Sequence, residues 1–392
     1  MLAVVLVSGV SVAGYAVYRT GQDIVDNAVD INQPGESQAP IPAIGEIEGG
    51  FNILLSGVDN DPNQSVDAFG DRDNTILNDV NMLIHVAEDH TSGVVVSFPR
   101  DLMIPHPECT DPETGDVYPA MRKQMLNAAF ERGGLSCVVN TIENLTDLEI
   151  QFAGYITFDG VIGMTDAVGG VPVCLAEPVR DRYSGLDLPA GINTVSGSTA
   201  LALLRTRHGV GDGSDLARIA VQQQYMSSLV RTLKSDGTLT DLSKLYALAR
   251  TAAKTVVLSK ELANLNTMIA MAQTLRAMDL DTLNLVQYPV TGDPDDPNRV
   301  IPIPALADQL TTMIATDQPF STDPNARRPG VEQETPPPTD SGTTAPPVPP
   351  VDTGAPSDPT GTVPPTGTPG VPPVIEGLVG QNASQESCIV SN

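Results

Sequence analysis

Phe51–Val58 (FNILLSGV), Val80–Val86 (VNMLIHV) and Val94–Phe98 (VVVSF) are short runs rich in Val, Ile and Leu, closed off by polar residues, Pro or Gly. Runs of this length and composition predict strands buried on both faces. Helix-like spacing follows at Asn127–Phe130 with Val138–Leu145, near Val161–Val168, at Leu216–Leu233 and at Leu242–Ala253. Gly154–Phe158 and Leu283–Tyr288 read as two further strands. Strands alternating with helices predict an α/β protein, a three-layer α/β/α sandwich around a central mixed sheet.

Outward from that core, the expected folded unit spans residues 45–318. Met1–Tyr18 is uncharged and apolar, close to the roughly 20 residues that span a bilayer. It predicts a single membrane segment or a secretory signal, with 19–44 as a linker and the main domain outside the cytoplasm. Residues 319–373 are dense in Pro, Thr and Gly with few large apolar side chains. Such a stretch buries too little surface to offset chain entropy and predicts a disordered spacer. No role is assigned to the short segment 374–392.

Composition excludes several classes. Against 48 Asp and Glu stand 21 Lys and Arg, a formal charge of −27, which repels nucleic acid. The chain has no Trp, and aromatics are 4% of residues, so base-stacking platforms are scarce. No GxxxxGK[ST], HExxH, GxSxG or CxxC occurs, and the four His show no metal-ligand spacing. The run from Asp59 starts like a calcium loop but has Gln64 and Gly70 where Gly and Glu are needed.

Three clusters remain. Asp59 follows the first predicted strand and Asp79 begins the second, where carboxylates can converge on one rim and hold a hard cation such as Mg²⁺. Arg100 and Asp101 leave the third strand at Pro99, which ends it. Arg205 and Arg207, read as an extended segment, share a face. A Gly-rich loop then leads to Ser214, a helix cap, and to Asp215, Arg218 and Gln222 on one helical stripe, leaving Ile219, Met226, Leu229 and Val230 for the core. Guanidinium forks suit phosphate or pyrophosphate; a solvated salt-bridge network is the alternative for the same residues.

In this order, SFPRD (97–101), LNAAFERGG (126–134), DAVGGVPV (166–173) and RTRHGVGDGSDLARI (205–219) resemble the LytR-CpsA-Psr family of cell-wall glycopolymer ligases, most closely its actinobacterial branch. The resemblance covers about residues 50–235. It implies transfer of a glycan from a polyprenyl-pyrophosphate carrier to the C6 hydroxyl of peptidoglycan muramic acid, at the outer face of the cell membrane. Carried over by motif, Asp59 and Asp79 would hold Mg²⁺. Arg100, Arg205, Arg207, Arg218 and Gln222 would bind the pyrophosphate, with Arg100, Asp101, Arg207 and Arg218 catalytic. Leu77, Met125 and Val221 stand where the family commonly carries a basic residue, though Lys123 is near. Two other readings stay open: a protein that binds polyprenyl lipid or wall polymer without turnover, and a polyprenyl pyrophosphatase. Four Cys allow three complete pairings, of which Cys109 with Cys137 is expected.

Overall fold

The structure is a computed structural model of the chain. It describes residues 25–34, 49–59, 76–112, 114–235, 255–264, 278–333 and 372–392, with residue 22 and single residues between 248 and 274. Met1–Tyr18 lies outside the described residues, among which no helix is long and apolar enough to cross a membrane.

β1 (Phe51–Val58), β2 (Asn78–Val86) and β3 (Gly93–Phe98) form the middle of a seven-stranded sheet. Its order is Val256–Leu258, Phe152–Ile156, β1, β2, β3, Leu283–Gln287 and Gly380–Asn382. β2 runs antiparallel to both neighbours, while β1 with Phe152–Ile156 and β3 with Leu283–Gln287 are parallel, so the sheet is mixed as expected.

Among the described residues the helices described end to end are α1 (Gly134–Thr146), α2 (Phe158–Val168), α3 (Gly197–Arg205), α4 (Asp215–Ser235) and α5 (Pro304–Ala315). Side chains alternate across the sheet. Leu54, Leu83, Val96 and Phe98 face one core with Val138 and Ile142 of α1 and Leu310 of α5. Ile53, Met82, Val95 and Leu285 face the other, with Leu258, Leu262 and Met278. Burial on both faces is why these strands read as unbroken apolar runs.

A second sheet was not foreseen. Gly191–Val195, Val171–Leu175, Ser387–Ile389 and Val331–Gln333 pair in that order, and α4 runs between the two sheets. Its Ala217, Ala220, Val221 and Tyr225 join the small-sheet core, while Val230 packs against the main-sheet core. Ile219, Met226, Leu229 and Val230 are buried or packed against these cores as expected, but Asp215, Arg218 and Gln222 are buried as well, because a sheet covers each side of α4. Buried polar groups on it bond inward: Gln224 Nε2 donates to the Ser387 carbonyl at 3.1 Å.

The domain boundary at 318 also moves. Phe320 is buried, Val331–Gln333 forms a strand, and the segment 374–392 returns to complete both sheets. Residues 334–371 of the expected spacer lie outside the described residues. Cys109 is bridged to Cys137 as expected, and Cys174 is bridged to Cys388, tying the last strand to its neighbour. Of the helix expected over Leu242–Ala253, positions 248, 251 and 252 are described, each helical.

Candidate functional site

The site begins with an irregularity. Gly57 pairs with Val80 but Val58 pairs with Asn78, so Asp79 is an extra residue bulged from β2. A bulge re-aims a side chain and leaves its backbone groups outside the ladder. The Asp79 carbonyl accepts a hydrogen bond from Arg218 Nη2 at 2.9 Å, and its carboxylate accepts one from Arg100 Nη1 at 2.9 Å.

Arg100 leaves β3 at Pro99, and its Nε lies 3.6 Å from Asp215 and 3.8 Å from Asp101. Burial opposes its charge, but Asp79, Asp215 and Asp101 together outweigh burial and hold it above its ordinary pKa. Ser214 caps α4 as expected, its Oγ accepting from Ala217 N at 3.2 Å. That places Asp215 in the first turn, where Arg218 Nη2 lies 2.7 Å from its carboxylate, both side chains under 10% exposed. Burial pulls the Arg218 pKa down, and Arg100 and Arg207 add to that against Asp215 and Asp79. Arg207 contributes its charge to both Asp101 and Arg218. Burial, followed by the Asp215 carboxylate, raises the Asp101 pKa against Arg100, Arg299 and Arg207.

Arg100, Arg207 and Arg218 each keep a buried Nε without a hydrogen-bond partner. Desolvated guanidinium donors without a hydrogen bond are costly unless an acceptor completes them. The rim is thus suited to an oxyanion.

The structure brings together Asp79, Arg100, Asp101, Arg207 and Arg218, and it places the other expected residues elsewhere. Arg205 is the last residue of α3, not part of an extended segment, because the run of Ala and Leu before it is helix-forming. Its guanidinium lies 4.4 Å from the centre of the Phe158 ring. Gln222 is buried, and its Nε2 donates to the Leu204 carbonyl at 2.9 Å, fastening α3 to α4. Asp59 stands at the neighbouring strand end, its Oδ1 accepting from Leu77 N at 3.0 Å. Asp59 is thus held by the backbone just before β2, while Asp79 is paired with Arg100. Among the described residues no group of three or more His, Cys, Asp or Glu forms a metal cage.

Val221 is fully buried in the small-sheet core, so a basic residue there would sit among apolar side chains. Lys123 offers no substitute within the cluster: it pairs with Asp293 and Asp295. Two residues escaped the motif reading. Asp215, expected on one helical stripe with Arg218 and Gln222 but given no role in the site, is the carboxylate between Arg100 and Arg218. Arg299 donates to Asp101 Oδ1 at 2.9 Å; it lies in an acidic stretch with no motif, and reaches the site through the bridge between Leu102 and Val300.

Fold and rim together define a class: a mixed-sheet α/β domain with an arginine–aspartate cluster at its strand ends. The chain belongs to the LytR_cpsA_psr family, whose model matches residues 15–315. It is 32% identical over 236 residues to the cell wall biosynthesis protein LcpA of Corynebacterium glutamicum, covering 54% of this chain and 45% of that one. The match thus spans less than half of that relative's length. It is 22% identical over 241 residues to the polyisoprenyl-teichoic acid–peptidoglycan teichoic acid transferase TagT of Bacillus subtilis, covering 60% of this chain and 69% of that one. The solved structure of TagV of B. subtilis shares the fold with a TM-score of 0.54 at 18% identity, over 69% of this chain and 97% of that one.

Proposed function

We propose that the chain transfers a glycopolymer from a polyprenyl-pyrophosphate carrier to the muramic acid C6 hydroxyl of peptidoglycan, outside the cell membrane. The observation that carries this reading is the group of three buried Nε donors on Arg100, Arg207 and Arg218, left without hydrogen-bond partners at one rim. The transferase named among the relatives acts on a polyisoprenyl-linked polymer and peptidoglycan, which supports the choice of donor and acceptor.

Phosphoryl transfer asks a protein mainly for positioning and charge neutralisation. The three arginines take the pyrophosphate oxygens, and Arg218 with Arg100 holds the Asp79 bulge in place. Asp101, with its raised pKa, is suited to receive the proton of the acceptor hydroxyl as that oxygen bonds to phosphorus. The bond from that phosphorus to the polyprenyl phosphate breaks, and the lipid phosphate leaves. Asp59 and Asp79 would hold Mg²⁺, which when bound neutralises charge on the pyrophosphate.

Binding without turnover is the second reading, favoured by Leu77 at a position the family commonly fills with a basic residue and by Lys123 being paired elsewhere. The full chain with polyprenyl-pyrophosphate-linked saccharide, peptidoglycan fragments and Mg²⁺, followed by mass spectrometry, separates the two. Glycan joined to muramic acid, lost with EDTA, is expected. Donor recovered bound but intact overturns transfer.

A further inference from the structure

A cavity of about 520 Å³ opens at the opposite rim of the main sheet from the arginine cluster. His85 near the end of β2 and Gly93 at the start of β3 line it, whereas Asp79 begins β2 and Arg100 follows β3. The length of these strands separates the two places by about 20 Å. The cavity lies in the size range of sites for small molecules.

Arg328 lines this cavity, and its Nε and Nη2 are buried without a hydrogen-bond partner. Burial alone lowers its pKa to about 10, and no carboxylate opposes that fall. Two carboxylates elsewhere on the lining are turned to other donors. Asp317 accepts from Glu88 N and contacts His85 Nε2, each at 2.9 Å. Asp323 accepts from Asn325 N at 2.8 Å and Gly377 N at 2.9 Å. With Nε and Nη2 buried and unpartnered and these carboxylates held by other donors, the Arg328 guanidinium is a donor fork without an acceptor.

The rest of the lining is rich in hydroxyls and amides, among them Ser92, Thr282, Asn284, Ser384 and Gln385. Such groups suit a polyhydroxylated ligand. Asp281 joins the two other carboxylates on the wall, and together they oppose a ligand of high negative charge. We propose that this cavity binds a saccharide or polyol segment carrying one negative charge, with Arg328 pairing the anion. The site is independent of the transfer reaction proposed above.

Calorimetric titration of the full chain at low salt tests this with three probes: digalacturonate, glycerophosphoglycerol and neutral cellobiose. At least one charged probe is expected to bind, and which one distinguishes a carboxylate from a phosphodiester. Arg328→Gln should weaken that binding roughly 10- to 100-fold and Arg328→Lys less, as befits a charge-assisted hydrogen bond. Ser384→Trp, which narrows the exposed side while retaining Arg328, should also weaken it and serves if Arg328→Gln unfolds. No binding of either charged probe, equal binding of cellobiose, or binding unchanged in folded Arg328→Gln or Ser384→Trp overturns the proposal.

Discussion

Arg218 Nη2 donates to the backbone carbonyl of Asp79, 139 residues away in sequence, at 2.9 Å. One guanidinium thereby fastens the bulge in β2 to the first turn of α4, where it also pairs with Asp215 at 2.7 Å. Position of the Asp79 carboxylate and charge of the rim are coupled through this side chain.

Because Arg218 and Asp215 are both buried, Arg218→Gln leaves the Asp215 carboxylate with only Arg100, 3.6 Å away, and should destabilise the domain by about 3 kcal/mol. The double variant with Asp215→Asn should recover part of that loss. Thermal unfolding of the two single variants and the double variant measures the coupling; additive losses would show that the pair is not a unit.

Asp79 is one-fifth exposed, and its removal should spare the fold. Asp79→Asn is expected to lower Mg²⁺-dependent release of polyprenyl phosphate more than about 100-fold, with an unchanged unfolding midpoint. Activity within a few-fold of the parent would remove Asp79 from the site.

Cys388 holds the C-terminal strand to Cys174 across a sequence separation of 214 residues. The strand also braces the loop that carries Arg207: Gly211 N donates to the Val390 carbonyl at 3.1 Å, and Asn392 N to the Gly209 carbonyl at 3.3 Å. Cys388→Ser should cost about 4 kcal/mol and speed proteolysis near residues 207–214. Ending the chain at residue 318 should be worse, since both sheets lose edge or inner strands.

His106 is buried beside Arg132, and burial first, then that charge, lowers its pKa to about 4. The unfolded chain takes up a proton near pH 6.5 whereas the folded one does so near the lower value. Stability is therefore full above about pH 6.5 and falls as pH drops through that window, by roughly 3 kcal/mol at most. Denaturant midpoints at pH 7.5 and 4.5 should draw closer in His106→Leu; an unchanged gap would place the titration elsewhere, His85 being the next group with a lowered pKa.

Much of the main sheet was legible because its strands are buried on both faces. A continuous run such as VVVSF has no other stable home. The second sheet was not legible: Val331–Gln333 and Ser387–Ile389 are three residues each, too short to carry periodicity. Arg205 shows the same limit at the site. Two arginines two apart suggest one face of a strand, but a helix ends between them.

Local chemistry along the chain determined the three central strands, the Ser214 cap and the set of arginines and carboxylates able to meet an anion. Which of them meet was decided by tertiary structure. The bulge at Asp79, Asp215 between two guanidinium groups and Arg299 on Asp101 join residues tens to hundreds of positions apart. Such contacts form only once burial on both sheet faces has fixed the strand ends, and a pattern confined to one segment carries no trace of them.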